Sequence, residues 1–376
     1  MTEKIPTKFL LLCFPLLAIF FPCNVYCWST YGSQIKGMFV FGSSLVDNGN
    51  NNFLLTLAKA NYSPYGVDFP GGPSGRFTNG MNVIDLLGEE LQLPSLIPVF
   101  YDPSTKGRTI VHGVNYASGG SGILNDTGSI AGNVVSLNEQ IRNFDEVTLP
   151  ELKTHVDCRS RDLLHNYLFV VGSGGNDYSF NYFLTQANAN VSVEAFTDNL
   201  INSLSQQLKK LYSLGGRKFV LMSVNPLGCN PVARASQPTG QDGCIQVLNQ
   251  AAHLFNSRLR LTVDFIRPQM PGSTLCFLLT HTRLSRILSE ILFPMVRLKR
   301  FNDTRNACCQ VLSVNEGGNG ILCKRGGRVC AERNIHVFFD GLHPTEAVNI
   351  QIAKKAFGSY NRDEVYPINV RQLAKL

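Results

Sequence analysis

Two adjacent serines, Ser43 and Ser44, stand where an apolar run stops. Met38 to Phe41 is uninterrupted apolar sequence, Gly42 ends it, and the chain then turns polar and rich in Asn and Gly as far as Asn52. That pattern predicts a buried strand ending in a tight turn. A serine there is held by the strand with its Oγ exposed and its N–H directed at whatever the oxygen attacks, which is what a nucleophile needs. A Gly-Ser-Ser turn without any chemical role has the same local sequence, so the other polar residues must decide. Near the far end of the chain, Asp340 and His343 lie three apart, after an apolar run and directly before Pro344. Over that spacing the carboxylate can reach the imidazole Nδ1–H and fix the tautomer. Nε2 is then free to take a proton from a serine. The chain order Ser, Asp, His is one of those used by acyl-transfer triads, although G-x-S-x-G, the lipase-type nucleophile elbow, is absent.

An attacking serine also needs donors for the oxyanion. The SGGSG run at Ser118 to Gly122 offers backbone N–H groups unobstructed by Cβ atoms, and Asn176 offers a side-chain amide, with Asp177 beside it as a residue that could hold the loop. No Lys-[ST] follows either glycine loop, which argues against a nucleotide phosphate cradle. The remaining histidines, at 112, 155, 165, 253, 281 and 336, have no matching partners and read as structural.

The elements that must position these residues alternate between short apolar strands and helical patterns, which predicts a parallel sheet covered by helices. Strands are expected over Met38–Phe41, Thr109–Ala117, Tyr167–Val171, Phe219–Val224, Thr274–Leu279 and Ile335–Phe339. Helices are expected over Asn82–Leu91, Glu194–Leu214, Gln246–Ile266 and Thr345–Phe357. Loops leaving the carboxyl ends of parallel strands gather at one edge, where ligands bind. The candidate residues follow the first, second, third and last of these strands.

The chain begins with Lys4 and Lys8 and then an apolar run, Phe9 to Phe21, too short to span a bilayer, so residues 1–27 read as a secretory signal cleaved near Cys27 or Trp28. No later run approaches the length of a membrane span. Eleven cysteines become eight once that leader is gone, and an even number in an oxidising compartment points to disulfides. Cys229 with Cys244 would close one Pro- and Gly-rich loop; Cys308 or Cys309 with Cys323 or Cys330 would pin another. No pair has C-x-x-C spacing, so a zinc site is not indicated. Asn61, Asn125, Asn190 and Asn302 are N-x-[ST] acceptors, in keeping with the same route. The net charge of +7 is dispersed, with Arg297, Lys299 and Arg300 the only dense patch and no aromatic platform around it, which gives no support to nucleic-acid binding. Oligomeric state is not written in the sequence.

FVFGSSLVDNGNNN at Phe39, GRFTNG at Gly75 to Gly80, VNYASGGSGIL at Val114 to Leu124, GGNDY at Gly174 to Tyr178 and FFDGLHPTEA at Phe338 to Ala347 resemble, in order, the successive blocks of the plant GDSL esterase/lipase family within the SGNH hydrolase superfamily. The resemblance runs from about residue 36 to 360. It implies a three-layer α/β/α, flavodoxin-like fold, with residues 28–376 a single hydrolase domain. It further implies a secreted, extracellular esterase or lipase that needs no cofactor or metal and acts on small-molecule or lipid esters. By resemblance Ser44 is the nucleophile, His343 the general base and Asp340 its orienting acid. Ser44 N–H, Gly120 and Asn176 would form the oxyanion hole, Gly120 standing in a run that also offers Gly119 and Gly122. An acyltransferase using the same serine, or a binding protein that kept the fold, would carry the same blocks. Two features depart from the family pattern: Ser43 occupies the Asp position that gives the family its name, and Cys276 to Arg300 reads as a basic, Leu-rich helix.

Overall fold

In a computed structural model of the chain, residues 35–156, 163–184, 190–236, 243–279 and 301–376 are described. The leader, Cys158 and most of the basic stretch before Phe301 lie outside them. Among the described residues, six strands form the central sheet in the order β2-β1-β3-β4-β5-β8. They are β1 (Gly37–Gly42), β2 (Gly113–Asn115), β3 (Tyr167–Gly172), β4 (Lys218–Met222), β5 (Thr274–Leu278) and β8 (Val365–Tyr366). All pairings are parallel except β5 with β8.

The sheet is parallel because its strands are apolar on both faces. In register, Phe39 pairs with Phe169 and Phe169 with Phe219, so aromatic side chains stack across one face. That face packs on α2 (Leu137–Asn143), α3 (Leu149–His155), α4 (Val193–Ser213) and α6 (Gln246–Ile266) through Leu200, Leu204, Leu208, Phe255 and Leu259. The alternate residues, Met38, Val40, Leu168, Val170 and Val220, point the other way. They meet α1 (Val83–Glu90), α7 (Glu346–Gly358) and α8 (Val370–Ala374), with α5 (Pro231–Ser236) standing apart from both layers' cores. The chain therefore adopts the three-layer α/β/α arrangement. Among the described residues, no helix is long and apolar enough to cross a membrane.

Two strand expectations need correction. Thr109–Ala117 is not one strand: Gly107–His112 is a 3-10 helix and only Gly113–Asn115 is extended. Gly113, at φ +101°, breaks the run, and its α-carbon lies so close to β1 that a Cβ would fall 1.9 Å from the Met38 carbonyl oxygen. Ile335–Phe339 does supply a strand, β7 (His336–Phe338), but it lies outside the central sheet. It pairs instead with β6 (Asp303–Ala307) in a two-stranded sheet, because the place beside β5 is filled by β8.

Among the described residues three disulfides are present: Cys229–Cys244, Cys308–Cys330 and Cys309–Cys323. The first closes the loop read from the sequence, and the other two resolve the pairing left open there. Cys276 is a free, buried thiol on β5, pushed up to about 12 by burial. Asn61, Asn125, Asn190 and Asn302 are all exposed.

Candidate active site

The turn after β1 starts at Gly42, whose φ of +148° swings the chain out of the sheet; a Cβ there would meet the Gly172 carbonyl oxygen at 2.3 Å. Ser43 N–H donates to that carbonyl at 3.1 Å, and Val46 N–H closes the turn on the Ser43 carbonyl. Ser44 is thereby placed at the carboxyl edge of the sheet, 7% exposed.

The loop from Phe339 to Thr345 brings Asp340 and His343 to the same edge. Phe339 N–H donates to the His343 carbonyl at 2.8 Å and Thr345 N–H to the Val337 carbonyl at 3.0 Å, folding the intervening residues into a tight bend. Inside it Asp340 Oδ1 accepts the N–H groups of Leu342 and His343 at 2.8 and 2.7 Å. His343 Nδ1 lies 2.8 Å from Asp340 Oδ2, and Nε2 lies 2.8 Å from Ser44 Oγ. Residues 44, 340 and 343, as far as 299 positions apart, thus form one hydrogen-bonded line. With Nδ1 protonated toward the carboxylate, Nε2 can accept the serine proton.

The GRFTNG block fixes the two loops against each other. Arg76 makes a buried bidentate pair with Asp85 at 2.6 and 2.7 Å and also donates to the Asn48 carbonyl. Thr78 Oγ1 donates to the Pro344 carbonyl, and Asn79 Oδ1 accepts from Glu346 N–H at the start of α7. The Phe77 ring packs on the His343 imidazole with centroids 4.9 Å apart.

Gly120 and Asn176 follow β2 and β3 on the same edge. Among the described residues, none accepts a hydrogen bond from the N–H of Ser44 or of Gly120. Asn176 Nδ2 donates one hydrogen to the Ser121 carbonyl at 2.9 Å, and its amide has a second to offer. Two buried carboxylates link the loops that carry these groups. Asp47 accepts Gly49 and Asn50 N–H on one oxygen and Gly119 N–H, at 3.0 Å, on the other. Asp177 accepts Ile123 N–H, Leu124 N–H and Thr127 Oγ1–H, joining the Asn176 turn to the glycine loop. Burial pushes each up from 3.8 to about 6, against the opposing pull of those donors.

A groove of about 760 Å³ opens onto Ser44, Gly120 and His343; its walls include Leu57, Ile130, Phe183, Leu227, Val247 and Leu342. A second cavity of about 70 Å³ meets Ser44 and His343 from the side of Ser43, Asn176 and Asn225. Among the described residues, no group of His, Cys, Asp and Glu side chains is arranged to hold a metal ion.

The sequence model of the family described as GDSL-like Lipase/Acylhydrolase matches residues 38–356. The chain belongs to this family. One GDSL esterase/lipase of Arabidopsis thaliana is 38% identical over 349 residues, covering 92% of each chain. A second is 39% identical over 349 residues, covering 92% of this chain and 89% of its own. GDSL esterase/lipase 7 of the same plant is 37% identical over 380 residues, covering 98% and 100%. The GDSL chain is accordingly a carboxylic ester hydrolase, and small-molecule or lipid esters are its class of substrate. Within this GDSL site, Asp47, Arg76 and Tyr65, whose hydroxyl reaches Asp340 at 2.6 Å, were not singled out from the sequence. The presence of Asp47 and Arg76 in family blocks was the one signal for them, and Tyr65 had none.

Proposed function

We propose that the chain is a secreted serine esterase acting on esters of aliphatic acids through an acyl-enzyme on Ser44. His343 takes the Ser44 proton as Oγ bonds to the ester carbonyl carbon. The carbonyl oxygen gains the negative charge and is met by the N–H groups of Ser44 and Gly120 and the side-chain amide of Asn176; each such donor is worth roughly 10²–10³ in rate. Collapse expels the alcohol, which leaves with the proton from the imidazolium. Water then attacks the acyl-enzyme with His343 again as base, releasing the acid and restoring Ser44. Asp340 holds the imidazole tautomer throughout. The apolar groove suits an aliphatic acyl chain.

The observation that carries the reading is the continuous line Asp340–His343–Ser44 at 2.8 Å per link, buried at the mouth of that groove. Residues 1–27 as a removed leader and 28–376 as one domain belong to the same reading. The three disulfides among the described residues and four exposed N-x-[ST] sites support the secretory route. In the test, Ser44→Ala is expected to lower turnover of a short p-nitrophenyl ester by about 10³-fold or more and to abolish labelling by a fluorophosphonate. Undiminished turnover would refute the assignment.

A further inference from the structure

Tyr65 is fully buried, and its ring is fixed edge-on against Tyr62, Phe77 and Phe339, with centroids 5.3, 6.2 and 5.6 Å away. Its hydroxyl lies 2.6 Å from Asp340 Oδ2 and also receives the N–H of Cys323 at 3.2 Å. An amide N–H can only donate, so the phenol accepts there and its single proton must go to the carboxylate. Asp340 therefore has four donors: two backbone N–H groups on Oδ1, the phenol on Oδ2, and the imidazole, whose Nδ1 lies 2.8 Å from Oδ2 and 3.0 Å from Oδ1. Cys323 is itself anchored by its disulfide to Cys309, whose N–H donates to the Phe339 carbonyl next to Asp340.

We infer that Tyr65 is a positioning residue for ester hydrolysis, its O–H fixing the rotation of the Asp340 carboxylate so that His343 is aimed at Ser44. The inference rests on the Ser44–His343–Asp340 reading above. Burial and the neighbouring Asp340 charge hold the Tyr65 hydroxyl well above its usual range, so it stays a proton donor at every working pH. Removing the hydroxyl frees the carboxylate to turn and concentrates its charge on the imidazole. The first effect lowers the rate; the second lets the protonated imidazole persist to higher pH. The other polar groups around the phenol are Tyr62, whose hydroxyl donates to the Cys323 carbonyl, and Arg325, whose guanidinium sits 3.9 Å over the Tyr62 ring. Neither is bonded to Asp340. Tyr65 lines neither cavity, so substrate binding should be little affected.

The test compares wild type, Tyr65→Phe, Tyr62→Phe and Ser44→Ala on a p-nitrophenyl ester from pH 5 to 9, with rates of the chains that keep Ser44 expressed per site titrated by a fluorophosphonate and the Ser44→Ala rate per mole of folded protein. Tyr65→Phe is expected to lower kcat roughly tenfold with KM within about twofold, and to move the midpoint of the rising limb of kcat/KM up by roughly half a pH unit. Tyr62→Phe, which loosens the same aromatic cluster, should leave that midpoint in place. Combined with Asp340→Asn, Tyr65→Phe should cost nothing further, since it acts only through the carboxylate. If Ser44→Ala is silent but the two phenylalanine variants behave alike, or the double variant loses as much again, the inference is overturned and the esterase reading stands. If Ser44→Ala still turns over, the esterase reading itself fails.

Discussion

Asp47→Asn separates what the buried carboxylate does for stability from what it does for catalysis. Asp47 is fully buried, and desolvation pushes it up from 3.8 to about 6 even though three backbone N–H groups and Arg76 favour its charge. That difference corresponds to about 3 kcal/mol against the ionised folded form. Its sign follows from proton uptake. Below pH 4 the group is protonated in both folded and unfolded chains. Between pH 4 and 6 the unfolded chain gives up the proton while the folded chain keeps it, so stability falls as pH rises. Above about pH 6 the whole loss is present. An asparagine carries no such penalty, but it cannot reproduce the contacts. Its oxygen can keep Gly49 and Asn50, at 2.7 and 2.8 Å, while its NH₂ then faces the Gly119 N–H, donor against donor. An unpaired buried N–H costs about 1–3 kcal/mol.

Two outcomes are therefore expected together. The stability of Asp47→Asn relative to wild type should improve by about 3 kcal/mol on going from pH 3 to pH 7, read as the difference between urea unfolding free energies at the two pH values. Over the same range kcat on a butyrate ester should be lower by about 10- to 100-fold, because Gly119 moves and carries the neighbouring Gly120 N–H with it. A stability gap independent of pH would show that the carboxylate is not carried into the fold against its own ionisation. A kcat within twofold of wild type would show that the Gly119 contact does not position the donor loop.

Two further changes probe the donor loop and the groove. Gly120 sits at φ +87° with open space around its α-carbon, the nearest atoms to an added Cβ being Val134 Cγ1 at 3.5 Å and Ala58 Cβ at 3.7 Å. Gly120→Ala should thus act through the backbone alone, lowering stability by about 1 kcal/mol in thermal unfolding and kcat by roughly tenfold; unchanged kcat would remove Gly120 from the oxyanion site. Val232 stands in the groove wall, and Val232→Trp should reduce kcat/KM for a hexadecanoate ester roughly tenfold more than for a butyrate ester. Equal losses on both would mean that the acyl chain does not lie there.

The sheet was legible because its strands are buried on both faces: GMFVFG, YLFVVG and KFVLM are apolar runs short enough to be strands and bounded by Gly or Lys. The long helices were legible from their apolar stripe, Gln246–Ile266 to the residue. Where a strand's neighbour is decided by competition for an edge, as with β7 and β8, local pattern carries no information. Ser44, His343 and Asp340 could be named because serine, imidazole and carboxylate each have a chemical reason to stand at a strand end. Tyr65 could not, since what matters about it is a hydroxyl meeting a carboxylate 275 residues away, and nothing around Tyr65 in the chain specifies that contact. Asp47 was hidden in the same way, its task being to accept an N–H from a loop 72 residues on.

The departure at Ser43 is resolved by the same residue. A carboxylate at position 43 would put charge into the nucleophile turn, and its absence raises the question of what orders the surrounding N–H groups. Asp47 already receives Gly49, Asn50 and Gly119, spanning the turn and the glycine loop. Ser43 is held by its backbone, through the Gly172 carbonyl and Val46 N–H. Neither bond uses its side chain. The turn's geometry therefore depends on residue 43 having a peptide group and on residue 47 having a carboxylate. The imidazole that faces Ser44 donates its other hydrogen bond to Asp340, on a loop that position 43 does not help to fold. Serine in place of aspartate at 43 thus leaves intact the placement of Ser44, the proposed nucleophile, and of His343, its proposed base, so the line from Asp340 to Ser44 stays continuous.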